Sequence, residues 1–163
     1  MTYVNARVVG GAHSAGMYRR ILVATDGSAL AGRAVQHALS LAKAVGAQVT
    51  AFYAAPPYPT PIYAEAVLNE APARAQYEAL AQREAQRVLD AVARKAATAE
   101  VACETVHAIS DAPWQAILDA ARARKSDVIV MASHGRRGIA AVLLGSETSK
   151  VLTHARIPVV VVH

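Results

Sequence analysis

Short apolar runs alternate along this chain with longer stretches in which apolar residues recur every three or four positions. Ile21 to Thr25 is the first short run, partly β-branched, and suits a strand buried on both faces. Asp26-Gly27-Ser28 breaks it, and Ser28 is a good helix N-cap. Ala31, Ala34, Val35, Ala38, Leu41, Ala42 and Val45 follow at helical spacing until Gly46 stops the helix. Val49 to Ala55 reads as a second strand. Pro56, Pro57, Pro59 and Pro61 then forbid regular structure, giving one long loop to about Pro72 that carries Tyr58 and Tyr63.

After Pro72 the spacing predicts a long amphipathic helix. Tyr77, Ala81, Ala85, Val88, Val92 and Ala96 fall on one face, with Arg83, Glu84, Arg87 and Asp90 on the other. Val101 to Ile109 alternates like a half-buried strand. Asp111 is placed to cap the next helix, Pro113 sits early in it, and Ile117, Leu118 and Ala121 form its inner face. Asp127 to Ala132 is a fourth strand. A glycine-bearing loop from Ser133 to Gly145 leads to a short helix from Ser146, and Val159 to Val162 is a last strand after Pro158. Strands that alternate with helices imply one parallel sheet with right-handed crossovers and helices on both faces. Neither an internal repeat nor a domain linker interrupts residues 17–163. Residues 1–16, rich in Gly, Ala and Ser, read as a flexible extension, and Met17 offers a second start.

A chain of 163 residues suits one domain. Apolar residues make up 54% but aromatics only 5%, so Ala, Val, Leu and Ile must fill the core. The net charge is +5. Arg7, Arg19 and Arg20 supply three of the 17 basic residues within the first twenty positions, which hold no acid; the rest carry 14 basic against 12 acidic residues. Elsewhere Lys and Arg alternate with Glu and Asp along helices, a pattern of solvated faces that points away from nucleic acid. Cys103 is the only cysteine and cannot form an internal disulfide, so a reducing, cytoplasmic location is expected. Its apolar-alternating surroundings suggest a buried structural thiol. No apolar run reaches the length of a membrane span, and the start lacks the continuous apolar stretch of a signal peptide.

Two segments carry candidate chemistry, because ligands of open parallel sheets bind beyond the carboxyl ends of the strands. Ala24-Thr25-Asp26-Gly27-Ser28 ends the first strand. Ala132-Ser133-His134-Gly135, nine further residues and Gly145-Ser146 follow the fourth. Glycines let a backbone approach a ligand and turn its N–H groups toward an anion, and a helix start adds unpaired donors. Ser146 can cap the helix or donate to a phosphate oxygen. There is no P-loop, and Gly10-Gly11 precedes any strand. Asp26 can face a ligand or merely close a turn. His134 has no Asp–Ser partners for a triad and is read as structural. Arg136 and Arg137 can neutralise phosphates or only be solvated. The six histidines lack metal-ligand spacing.

With these residues in view, the chain resembles the universal stress protein family from Tyr18 to His163. The resemblance rests on Arg20 to Ser28, Asp127 to Gly138, Leu143 to Glu147 and Ile157 to Val162. It implies an open, doubly wound, Rossmann-like (HUP-type) sheet of five parallel strands in the order 3-2-1-4-5. It also implies an adenine-nucleotide site. Nucleotide-binding members carry Gly-x2-Gly-x9-Gly-[Ser/Thr]; Gly135, Gly145 and Ser146 match, and Ala132 stands at the first glycine. By the resemblance Asp26 faces adenine and ribose, Ala24, Ala54 and Met131 line the adenine pocket, and Ala132, Gly135, Gly145, Ser146 and Glu147 follow ribose and phosphates. A Glu147 carboxylate repels phosphate unless it turns away or meets a metal.

The functions then in contention differ in class. One is an ATP-binding (or AMP- or ADP-binding) stress-response module, with Mg²⁺ accompanying the triphosphate. Another is a dimeric interaction protein whose pocket has lost its ligand, favoured by Ala132 and Glu147. The third is a slow ATPase or an adenylyl-transferring relative, against which stands the lack of a Lys or Arg finger or paired carboxylates near the loop. The family pairs through its last strand, so Val159 to Val162 is the expected homodimer edge. A bare Val-rich edge needs cover, from a second subunit or from residues 1–16 folding back.

Overall fold

A computed structural model describes residues 17–59, 70–135 and 144–163. Its elements run β1 (Arg20–Ala24), α1 (Ala29–Val45), β2 (Gln48–Ala55), α2 (Glu70–Thr98), β3 (Cys103–Ile109), α3 (Pro113–Ala123), β4 (Val128–Ala132), α4 (Ser146–His154) and β5 (Val159–Val162). The five strands form one parallel sheet in the order β3-β2-β1-β4-β5. Strand order reverses at β1, so α1 and α2 cross over one face while α3 and α4 cover the other.

The central strands are apolar on both faces because both faces are covered. Ile21, Leu22, Val23, Val128, Ile129 and Val130 are fully buried. Ile21, Val23, Val128 and Val130 pack toward α1 and α2, and Leu22, Ala24, Ile129 and Met131 toward α3 and α4. Alanines at 31, 34, 38 and 42 let α1 lie close on the sheet. Its ends are those the sequence announces. The Ser28 hydroxyl accepts the Ala31 N–H at 3.2 Å, and Gly46 takes the left-handed conformation at φ 69°. At the amino edge of the sheet the Asp127 carboxylate accepts the backbone N–H groups of Arg19 and Arg20 at 2.7 and 2.8 Å. That contact fixes β4 against β1 in register.

β1, β2 and β4 each begin one residue from the expected position, and β1 also ends one residue early; larger departures occur at α2, β3 and α3. The long helix is described from Glu70 and already includes Pro72, so it starts earlier than expected. β3 begins at Cys103, two residues later than the alternation suggests. Asp111 does not cap α3; Ala112 is the N-cap residue and makes no side-chain cap bond, while the Ser110 hydroxyl accepts the Ala112 N–H at 3.1 Å. Tyr58 stacks edge-on against Tyr77 of α2 at 5.4 Å, whereas Tyr63 lies outside the described residues. No described helix is long and apolar enough to cross a membrane.

Candidate functional site

The site forms where β1 and β4 end side by side. Thr25 extends the pairing to β2 by donating its N–H to the Phe52 carbonyl at 2.9 Å. Beyond it the chain must reverse into α1, and two local bonds make the turn. Asp26 Oδ1 accepts the Ser28 N–H at 2.9 Å, and Thr25 Oγ1 accepts the Gly27 N–H at 3.2 Å. Gly27 sits at φ 78°, a conformation costly for other residues. The Asp26 carboxylate thus closes the turn. One oxygen closes the turn, and the other points across to the β4 loop.

There it meets Gly135. A Cβ placed on Gly135 would stand 2.7 Å from Asp26 Oδ2 and 3.7 Å from its Cγ. Only the bare glycine backbone admits the carboxylate this closely. The loop is pinned at its base. Ser133 donates its N–H to the Val162 carbonyl at 2.8 Å, and Gly145 returns to donate its own N–H to the Ser133 carbonyl at 2.7 Å. A Cβ on Gly145 would lie 3.3 Å from the His134 Cα, so the returning strand of the loop also presses against backbone. The buried Thr148 hydroxyl adds a third tie, donating to the Ala132 carbonyl at 3.0 Å. His134 Nδ1 lies 3.2 Å from the Ser133 hydroxyl, a local contact that fits a structural histidine. Arg136 and Arg137 lie outside the described residues.

Ala132 is the last residue of β4. Among the described residues only Glu100, Lys125, Gly27 and Gly46 have positive φ, so the Ala132 backbone needs no glycine. Its methyl is buried in the cluster facing α1. Ala24 and Met131 are core residues on the other face, where Ala54 packs while remaining half-exposed.

Gly145 is the N-cap residue of α4 with no side-chain cap bond, so Ser146 stands exposed as the first helical residue and does not cap. The start of α4 presents backbone donors and the positive end of the helix dipole at the carboxyl end of the sheet. The Glu147 carboxylate turns toward α3. Its Oε2 accepts the Trp114 N–H at 2.9 Å, and its Oε1 accepts from Lys150 Nζ at 3.1 Å. Trp114 in turn packs on the His154 ring at 4.8 Å. Sequence reasoning missed this contact, because no local signal links residues 33 positions apart. It also missed a groove of about 450 Å³ between α1 and α2, lined among others by Gly32, Arg33, Arg87 and Lys95.

Comparison with known proteins gives this geometry its context. The profile of the universal stress protein family matches residues 17–163. The universal stress protein MJ0531 of Methanocaldococcus jannaschii is 31% identical over 149 residues, covering 90% of this chain and 82% of its own. The structure of the universal stress protein UspA from Lactobacillus plantarum superposes with a TM-score of 0.64 at 29% identity, over 94% of this chain and 100% of that one. A crystal structure of a universal stress protein in complex with cAMP has a TM-score of 0.66 at 25% identity, over 90% and 98% of the two chains. On the profile match over residues 17–163, the paired ends of β1 and β4 and the shared strand order, the chain belongs to the universal stress protein family.

Proposed function

We propose that this protein binds an adenine nucleotide across the carboxyl ends of β1 and β4 and acts as a dimeric stress-response module. The observation that carries the reading is the convergence of Asp26 on Gly135, two residues 109 positions apart, with Asp26 Oδ2 standing where a side chain at 135 would begin. Asp26 serves the ribose and adenine end, beside Ala24, Ala54 and Met131. Gly135, Gly145 and Ser146 supply backbone and hydroxyl donors to the phosphates, with Ala132 at the edge of the cradle. The relative solved with cAMP supports an adenine nucleotide as the ligand class. The ordinary backbone of Ala132 supports retention of binding despite the missing first glycine. The turned-away carboxylate of Glu147 lessens its repulsion of phosphate while leaving its backbone at the loop.

ATP is the intended occupant, with AMP or ADP as lesser ligands. Mg²⁺ would arrive with the triphosphate. No three His, Cys, Asp or Glu side chains gather into a metal cage among the described residues, so phosphate oxygens and water would supply most of its ligands. The β5 edge supports the dimer, because all four of its valines are only half-buried within one chain.

Thermal shift with ATP, AMP and Mg²⁺ tests the binding. A nucleotide at about 100 times its dissociation constant stabilises the fold by about 2.7 kcal/mol. A flat response to every nucleotide would leave the second reading, a dimeric interaction protein without a ligand, for which the Ala132 replacement is the supporting feature.

A further inference from the structure

Helix α3 begins with an unusual deficit. Its N-cap residue, Ala112, has no side chain able to accept a bond, and Pro113 at the first helical position has no N–H to offer. The first donor that needs a partner is therefore the Trp114 N–H. Glu147 Oε2 takes it at 2.9 Å from a different helix. Glu147 itself lies in the first turn of α4, directly after Gly145 and Ser146. One carboxylate thus joins the amino termini of two helices that both open at the carboxyl end of the sheet. Its second oxygen is held by Lys150 within α4, which restrains the side chain in the bridging position. The Trp114 and His154 rings, 4.8 Å apart, close the same α3–α4 seam one layer below.

We infer that Glu147 is a positioning residue: by capping α3 from α4 it holds the first turn of α4, and with it the Gly145–Ser146 donors, in place. The inference rests on the reading of that loop as a phosphate cradle. Its charge is turned to a structural use. A carboxylate so near a phosphate site opposes ligand binding, but the positive end of α3 absorbs the charge. Glutamine keeps an acceptor for the Trp114 N–H and drops the charge. Alanine loses both. The two substitutions therefore separate positioning from repulsion.

Amide hydrogen exchange on the ligand-free protein reads the strut directly. In Glu147→Ala, the amides of Trp114 in α3 and of Ser149 in α4 exchange about fivefold faster, the expected scale of a lost cap. In Glu147→Gln both stay within about twofold of wild type. Acceleration at Trp114 alone would reduce Glu147 to a cap of α3 and overturn the inference. Calorimetric titration with AMP supplies the second arm. Binding weakens about fivefold in Glu147→Ala and is kept within about twofold in Glu147→Gln. Equal affinity in all three proteins, or tighter binding in both variants, overturns the positioning role. If wild type binds neither AMP nor ATP in the same titration, the proposed function fails, and the exchange data alone decide whether the strut operates.

Discussion

A single glycine carries the tightest constraint in the site. Gly135 needs no positive φ; what sets it apart is that the Asp26 carboxylate occupies the place of its side chain. Gly135→Ala should turn Asp26 Oδ2 aside, at a cost of about 1 kcal/mol in urea unfolding. The same substitution made on an Asp26→Ala background should cost much less, and the non-additivity in that double-mutant cycle measures the contact. Ala132 teaches the converse. The Ala132 backbone is extended and not left-handed, so the position has no conformational need for glycine; close approach of a phosphate to its Cα is the separate condition that nucleotide titration of Ala132→Gly tests. Cys103 belongs to this scale too. Burial pushes its thiol up from the ordinary 9.0 to about 11, against a partly offsetting backbone hydrogen bond from Ala51. The native thiol is neutral at pH 7, so labelling by a disulfide reagent should be slow until the chain unfolds. Because the folded chain holds this proton more tightly, its contribution to stability is complete below pH 9.0 and is lost as pH rises to about 11. Urea midpoints across that range, compared with Cys103→Ala, check the sign.

At the scale of elements, ends matter more than middles. Ser28 was legible as a cap because cap residues act on donors two or three positions away, within reach of sequence. Ser28→Ala should cost about 1 kcal/mol in thermal unfolding. Asp111 was read the same way and does not cap, because Ser110 takes the Ala112 N–H and Glu147 takes the Trp114 N–H. Partners that arrive from another helix leave no local trace. Thr148 is a similar case. Its buried hydroxyl ties α4 to the end of β4, and Thr148→Val leaves the Ala132 carbonyl unpaired, at a cost of about 1–3 kcal/mol. On the proposed function, that variant should also loosen the Gly145–Ser146 donors, seen as a smaller nucleotide-induced thermal shift than in wild type.

For the whole molecule, the decisive feature is the reversal of strand order at β1. It places β3 and β5 at the two edges of the sheet. The carbonyls of Pro158 and Val162 accept bonds from Ile129 and Ser133, so by alternation the backbone groups of Val159 and Val161 face outward. An outward N–H at an edge can be removed without breaking the internal ladder. On the proposed dimer, Val161→Pro should therefore leave the fold intact by circular dichroism while wild type sediments as a dimer and the variant as a monomer. A variant that remains dimeric would place the subunit contact elsewhere.

The amino-acid pattern alone specified the alternation of strands and helices, the buried central strands, the cap and stop of α1 and the two candidate loops at the strand ends. These follow from periodicity and from side chains acting on near neighbours. What depends on distant parts of the chain meeting came only with assembly: the approach of Asp26 to Gly135, the turn of Glu147 toward Trp114 and the packing of the Ala132 methyl against the α1 face. The reason is geometric. Hydrophobic period fixes which face of an element is buried, but only the assembled sheet sets which strand ends lie side by side and where their polar groups point.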